Sequence, residues 1–411
     1  MERLESFDAF LQSKDKEGFW HPSVVAELYI KLLENTALRE LLELSLRAAA
    51  DKASGQMARN LYQALPWPQN WQDYVMYTWE FSRWVPHQSK EPAWTEPGTD
   101  EQQEVYDNLC HFYFLIDQSV GAEKQQVQND GWFSKWLVRY SNSWGEFLNT
   151  TASFNDEVLN SFIEFSPLYR VQDSMIDGRP NNPSGWLTFN QFFARELNPG
   201  LRPVSSPSDN RVITSPADCT FRAAYDIASD STVPGIRVKR THEYESINHL
   251  LDNSQYSDVF ANGKLVHYFL GPYSYHRFHT PVSGLLKECR AVQGLNYLEV
   301  NLVDGQYDAP DNAGGGYEFN QARGVVIIDT SLSGCGDVGL VAIVPVGMCQ
   351  VSSVNMTAQV GNILEKGDEF GYFLFGGSDI MVLFQEGVDP TIFDGLQYRL
   401  YGTPIARLTG F

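Results

Sequence analysis

The sequence is short of cysteine, of basic charge and of long apolar runs, and each shortage sets a class of protein aside. Its five cysteines (Cys110, Cys219, Cys289, Cys335, Cys349) are an odd number, lie far apart and include no Cys-x-x-Cys spacing. Neither a disulfide framework nor a zinc site is indicated, and they read as reduced thiols. Basic residues number 30 against 51 acidic ones, a formal charge of −21. Such a surface repels phosphate backbones and anionic bilayers, so nucleic acid is not expected as a partner. No run reaches the roughly 18 apolar residues of a membrane span, and the opening Met1-Glu2-Arg3-Leu4-Glu5-Ser6-Phe7-Asp8 lacks the apolar stretch of a secretory signal. A cytoplasmic protein without stable membrane insertion is expected. There is no internal repeat or low-complexity tract, and the Gly-rich loop at 308–316 lacks the Lys-Ser/Thr ending of a phosphate-cradling motif.

What is present is a globular chain of 411 residues, 43% hydrophobic and 13% aromatic, long enough for two or three domains. Apolar residues at three- and four-residue spacing over 23–53 predict amphipathic helices, and further helical patterns follow at 101–117 and 155–165. The tryptophans of this part (Trp67, Trp71, Trp79, Trp84, Trp94) read as buried packing. A Pro-, Asn- and Gly-rich loop at 177–185 marks a change of character, and the domain boundary is set just before it. Beyond Arg211 short β-type runs take over, at 211–214, 264–270, 297–302, 325–329, 338–346 and 369–375.

Three places in the second half carry chemistry. In Phe375-Gly376-Gly377-Ser378-Asp379 two glycines let the backbone approach a reacting group closely, and the serine offers a hydroxyl to an adjacent carbonyl. Ser215-Pro216-Ala217-Asp218 presents an acid in a turn, where it could equally bond its own backbone. His276 and His279 follow an apolar strand; they read as a structural pair, as half of a metal site whose other ligands are not evident, or as one member of a triad. In a triad an acid orients the imidazole and the imidazole takes the serine proton.

Taken together these motifs resemble the phosphatidylserine decarboxylase family. Tyr275-His276-Arg277-Phe278-His279-Thr280-Pro281 looks like its Tyr-His-Arg-x-His-x-Pro signature, and Ser215-Pro216-Ala217-Asp218 like its Ser-Pro-x-Asp. The segment 366–373 followed by Gly376-Gly377-Ser378 is similar to its Gly-Asp-Glu-x-Gly-Tyr-Phe segment and cleavage site. Phe192-Phe193-Ala194-Arg195, with Arg202-Pro203 after it, resembles its entry segment. The helical part is similar to the extra domain of a soluble branch that includes fungal tryptophan decarboxylases. Two positions depart: Cys219 stands where the family usually has Gly, and Asp379 where Ser or Thr is common.

The resemblance implies an α+β fold: a helical N-terminal domain, 1–175, then a mainly antiparallel β-rich pyruvoyl-decarboxylase domain, 176–411. It implies that Asp218 orients His279, that His279 deprotonates Ser378, and that the hydroxyl attacks the carbonyl of Gly377. The resulting ester breaks by β-elimination, and residue 378 becomes a pyruvoyl group with loss of ammonia. That group takes a substrate amine as a Schiff base and accepts the electrons left by CO₂, so neither a metal nor pyridoxal phosphate is needed. His279 is the expected proton donor afterwards, and His276 positions the substrate. The large and small chains stay associated. The expected substrate is a free, aromatic L-amino acid such as tryptophan; a serine phospholipid is the alternative. Two readings of another class compete. One is an inactive scaffold on the same fold. The other is a carrier domain built on Val360-Gly361-Asn362-Ile363-Leu364-Glu365-Lys366-Gly367-Asp368, whose facing turn, Val354-Asn355-Met356-Thr357, lacks the lysine to be modified.

Overall fold

The structure, a computed structural model, describes residues 23–96, 98–99, 101–234, 246–309, 317–349 and 353–408. The opening 1–8 stretch and most of the 308–316 loop lie outside them. The architecture is α+β, with a helical layer followed by antiparallel sheet.

The periodicity over 23–53 yields two helices, Ser23–Glu34 and Thr36–Gln56, separated at Asn35, whose side chain accepts the Leu38 N–H and caps the second. The expectations at 101–117 and 155–165 correspond to Glu104–Phe114 and Asp156–Phe165. Two further helices, Trp71–Phe81 and Phe133–Leu148, bury aromatic faces, so that Trp84 stacks on Trp144 and Phe112 on Tyr140. Trp71 and Trp94 are buried, and Trp67, Trp79 and Trp84 pack half-buried on the same core. That core runs on past Met175 to include Trp186, Phe189, Phe192 and Phe193, and takes in Cys349 and Phe375 from the sheet-rich half. Among the described residues no helix is long and apolar enough to cross a membrane.

The main sheet has eight strands. Their spatial order is Ile363–Leu364, Gly284–Val292, Ala322–Asp329, Leu340–Gly347, Ser378–Phe384, Lys264–Leu270, Cys219–Asp226 and Tyr398–Arg399. All the pairings are antiparallel. Every residue of Ser378–Phe384 is buried, because both faces of this inner strand are covered. Ile380, Val382 and Phe384 join one core with Phe278, Phe370 and Phe373; Met381 and Leu383 join another with Leu250, Phe260 and Phe319. A second sheet, Val354–Met356, Glu369–Phe373 and Arg277–His279, brings the histidine segment beside the segment leading to Ser378. Gly371 is required there, since a Cβ would stand 2.2 Å from the Asn355 carbonyl oxygen and 2.4 Å from the Phe278 ring.

Two expectations change. The run at 297–302 is a strand only from Asn301, paired with Gln306–Asp308. Its earlier part lies on the helical layer, where Gln128 bonds both the N–H and the carbonyl of Leu298 and Asp117 accepts the Val300 N–H at 2.8 Å. Side chains of the helices thus do what a neighbouring strand would have done. The supposed turn at 354–357 is largely strand, pairing Val354 with Phe373. Lys366 does not project as a carrier lysine would: it is buried, and its Nζ donates to the carbonyls of Ser206, Asp209 and Val212 at 2.8, 2.6 and 2.7 Å.

Candidate functional site

Ser378 is the first residue of the inner strand, opposite Gly347 on one side and Leu270 on the other. Gly-Gly-Ser reads as a turn, yet only its glycines turn: Gly376 has φ +155°, which a Cβ makes costly, and Ser378 is already in the ladder. The peptide between Gly377 and Ser378 is held at its carbonyl, which accepts the Met348 N–H at 2.9 Å, while the Gly377 N–H points at the Cys349 sulfur at 3.3 Å. A Cβ on Gly377 would meet that sulfur at 3.2 Å. The Ser378 hydroxyl is fully buried and has no hydrogen-bond partner among the described residues, an arrangement that costs about 1–3 kcal/mol in a resting protein.

Just upstream, Phe375 anchors this segment to the helical layer. Its ring meets Trp144, Phe189 and Phe193 edge-on at 5.5, 5.1 and 5.1 Å, and its N–H donates to Asn190 at 3.3 Å. Each such ring pair adds about 0.5–1.5 kcal/mol beyond simple burial.

His279 is 6% exposed. Its Nδ1 lies 2.9 Å from the Gly367 carbonyl, which can only accept, so Nδ1 carries the proton and Nε2 the lone pair. Nε2 accepts the Tyr275 hydroxyl at 3.2 Å, and the ring lies flat on Tyr401, 3.8 Å away at 4°. Burial holds this imidazole down to about 4, with the nearby Arg277 lowering it slightly further and the Gly367 carbonyl opposing. His276 is fully buried, stacks on Phe193 at 4.0 Å and is pushed down by burial to about 3.

Asp218 departs from the expected role. It is buried, but its oxygens accept the guanidinium of Arg202, at 2.8 Å from Nη2 and 3.3 Å from Nε, and the Tyr401 N–H at 2.8 Å. It makes no hydrogen bond to His279, whose Nδ1 is taken by Gly367. A buried carboxylate selects the strongest partner within reach, and Arg202, itself also paired with Asp173, is a full cation. The link from Asp218 to His279 runs through Tyr401, bonded to one by its N–H and stacked on the other by its ring. His279 likewise makes no hydrogen bond to Ser378. The three residues lie in one half of the molecule as separate pieces, not as a closed relay.

Sequence reasoning missed the groups that do the holding: Arg202, Gly367, Tyr401 and Met348. Arg202 stood within a matched segment, but nothing local pairs it with Asp218. It also missed His267, Glu318 and Asp379, whose ligating atoms lie within 4.8 Å of one another, all buried. His276 and His279 are not part of that group.

The family described as phosphatidylserine decarboxylase matches residues 189–405. Among curated relatives, phosphatidylserine decarboxylase proenzyme 2 of Oryza sativa subsp. japonica is 36% identical over 199 residues, which are 48% of this chain and 29% of that protein. Proenzyme 3 of Schizosaccharomyces pombe is 32% identical over 245 residues, 60% of this chain and 23% of that protein. Decarboxylase iboD of Amanita muscaria is 29% identical over 296 residues, 66% of this chain and 82% of that protein. The chain thus spans less than a third of the first two relatives and most of the third. With the matched region covering more than half of its length, the chain belongs to the phosphatidylserine decarboxylase family.

Proposed function

We propose that this chain is a precursor that cuts itself between Gly377 and Ser378 and then decarboxylates a free aromatic amino acid on the pyruvoyl group formed from Ser378. The observation that carries the reading is the scissile peptide itself. A buried hydroxyl with no partner adjoins a carbonyl already polarised by the Met348 N–H, the donor that would stabilise the oxyanion as the hydroxyl adds. The residues present fit the cofactor, since position 378 is a serine in a dry site.

His279 is the base in this reading. Its Nε2 lone pair is fixed by the proton on Nδ1, and burial keeps the ring neutral well below neutral pH. The Tyr275 hydroxyl must give way to that of Ser378 for the transfer to occur. The Ser378 oxygen then bonds to the Gly377 carbonyl carbon, the C–N bond breaks, and the proton goes to the departing amine. Loss of the serine α-proton expels the Gly377 carboxylate, and water hydrolyses the dehydroalanine left at 378 to the pyruvoyl group with release of ammonia. Asp218 is a positioning residue acting through Tyr401, and His276, clamped on Phe193, orients substrate. The pyruvoyl group, when formed, supplies the electron sink for the electrons left by CO₂.

The substrate reading rests on charge and on a cavity. A 210 Å³ cavity between the helical layer and the sheet is lined by Tyr106, Tyr169, Phe269 and Tyr273 together with Glu96 and Glu101. Phe269 is the ladder partner of Asp379, the residue after Ser378, so this cavity adjoins the opposite face of the strand from the Ser378 side chain. Aromatic walls suit a ring, and the two carboxylates, on a chain of charge −21, repel a phosphodiester. Phosphatidylserine is the second reading, favoured by the names of the rice and fission-yeast relatives.

Denaturing mass spectrometry tests the processing: the expected products are residues 1–377 and a fragment starting at 378 with a pyruvoyl mass, and Ser378→Ala gives one full-length species. An active protein of full-length mass overturns the reading. Purified, cleaved protein is then offered tryptophan, phenylalanine, tyrosine and phosphatidylserine vesicles separately. CO₂ from vesicles alone replaces the first substrate reading with the second.

A further inference from the structure

The polar cluster behind the cleavage site does not take part in the chemistry above. Asp379 stands opposite Phe269, and His267 opposite Met381. Residues 379 and 381 share a face of the sheet, so Asp379 and His267 are diagonal neighbours on it. Glu318 comes down onto this face from the short turn Tyr317–Phe319. Beside them the face carries hydrocarbon: Leu265, Phe319, Val325, Val344, Met381 and Leu383.

His267 and Asp379 are 0% exposed and Glu318 is 4% exposed. The His267 Nε2 and Asp379 Oδ1 atoms are 3.3 Å apart. That is close to the edge of a tetrahedron, about 3.4 Å, when ligands lie about 2.1 Å from the ion. Glu318 Oε2 is buried with no hydrogen-bond partner. Two carboxylates and an imidazole in an apolar layer are costly unless their charge is neutralised. Burial pushes the Glu318 carboxyl up to about 7, with His267 opposing and Asp379 adding to the rise. A proton on Glu318 neutralises one of the two acids; a divalent cation neutralises both.

We propose that His267, Glu318 and Asp379 bind one divalent first-row transition-metal ion, which ties the start of the cleavage-site strand to its neighbours. One imidazole nitrogen with two carboxylate oxygens suits zinc, cobalt or manganese better than calcium or magnesium, which prefer all-oxygen shells. Ser378 and Asp379 are successive strand residues and face opposite sides, so the ion fixes the strand without touching the hydroxyl.

The Ser378→Ala precursor is the protein to use, because metal binding in it does not depend on processing or on any substrate. It is stripped with a chelator, exposed to Zn²⁺, Mn²⁺ or Co²⁺, passed through a desalting column and analysed for metal. One retained ion per chain is expected, with a visible absorption band for Co²⁺ and a rise in Tm on loading. Glu318→Gln, which keeps the side-chain shape, and His267→Ala each weaken binding at least ~10-fold and abolish the Tm response. No retained ion with any of the three metals, or unchanged binding by Glu318→Gln, overturns the proposal and leaves a cluster neutralised by protons.

Discussion

Two buried charge clusters flank the proposed cleavage site, and they are solved in opposite ways. Around Asp218 the acids Asp218 and Asp173 share a guanidinium, Arg202, which the protein supplies itself. Around Asp379 the acids Asp379 and Glu318 gather with an imidazole, His267. The first cluster is complete and holds Tyr401, and through it His279, in place. The second, just as deeply buried, is built around a group that carries charge only when protonated. A fixed guanidinium makes a cluster a strut, whereas an imidazole makes its charge balance depend on a proton or an ion.

Substitutions test this contrast, all in the Ser378→Ala background so that processing does not intervene. The largest effect is expected from Asp218→Ala, which takes from the buried Arg202 the shorter and more buried of its two carboxylate pairs and removes about 3–5 kcal/mol from the unfolding free energy in urea. Adding Arg202→Met should restore most of the loss, because Asp173 keeps its pair with Arg170 and no buried charge is left orphaned. A double variant as weak as the single one breaks the strut interpretation.

Glu318→Gln, measured in chelator, should change stability by less than about 1 kcal/mol in either direction, since it removes one of two mutually repelling acids. A loss as large as that of Asp218→Ala would show the two clusters to be alike.

A further effect concerns acid. His279 has its folded value near 4 against the usual 6.5, so the unfolded chain takes up its proton first as pH falls. The stability it contributes is complete above 6.5 and is lost as pH falls toward about 4, at up to ~1.4 kcal/mol per pH unit. His279→Gln should therefore flatten the dependence of unfolding free energy on pH between those limits by up to one proton. An unchanged slope would mean that the imidazole is not held neutral.

The sequence made the helical layer and the family motifs readable, for different reasons. Amphipathic spacing locates Ser23–Glu34 and Thr36–Gln56 because one face alone is buried. The Phe133–Leu148 helix was not read from the sequence; its buried face mixes Trp136, Tyr140 and Trp144 with small residues such as Ser141 and Gly145. Ser378 was found by its glycines, but its strand was not, since a fully buried run carries no alternation to read. The partners of Asp218 and His279 could not be read at all. Arg202, Tyr401 and Gly367 come to them only through the fold, and the competition Arg202 wins for Asp218 is decided by distance. His267 and Asp379 looked like ordinary members of apolar strands, and only their register shows them to be neighbours.

The position of Ser378–Phe384 inside the sheet, with Phe375 locked among Trp144, Phe189 and Phe193 on the other side of the cut, sets how the molecule ages. A chain severed there behaves as a complemented pair whose smaller piece cannot leave without unzipping a central strand from both neighbours. Fragments will not exchange between molecules, so a damaged prosthetic end cannot be swapped for a fresh one. On the proposed reading each copy matures once, and its working life is that of its first and only cut.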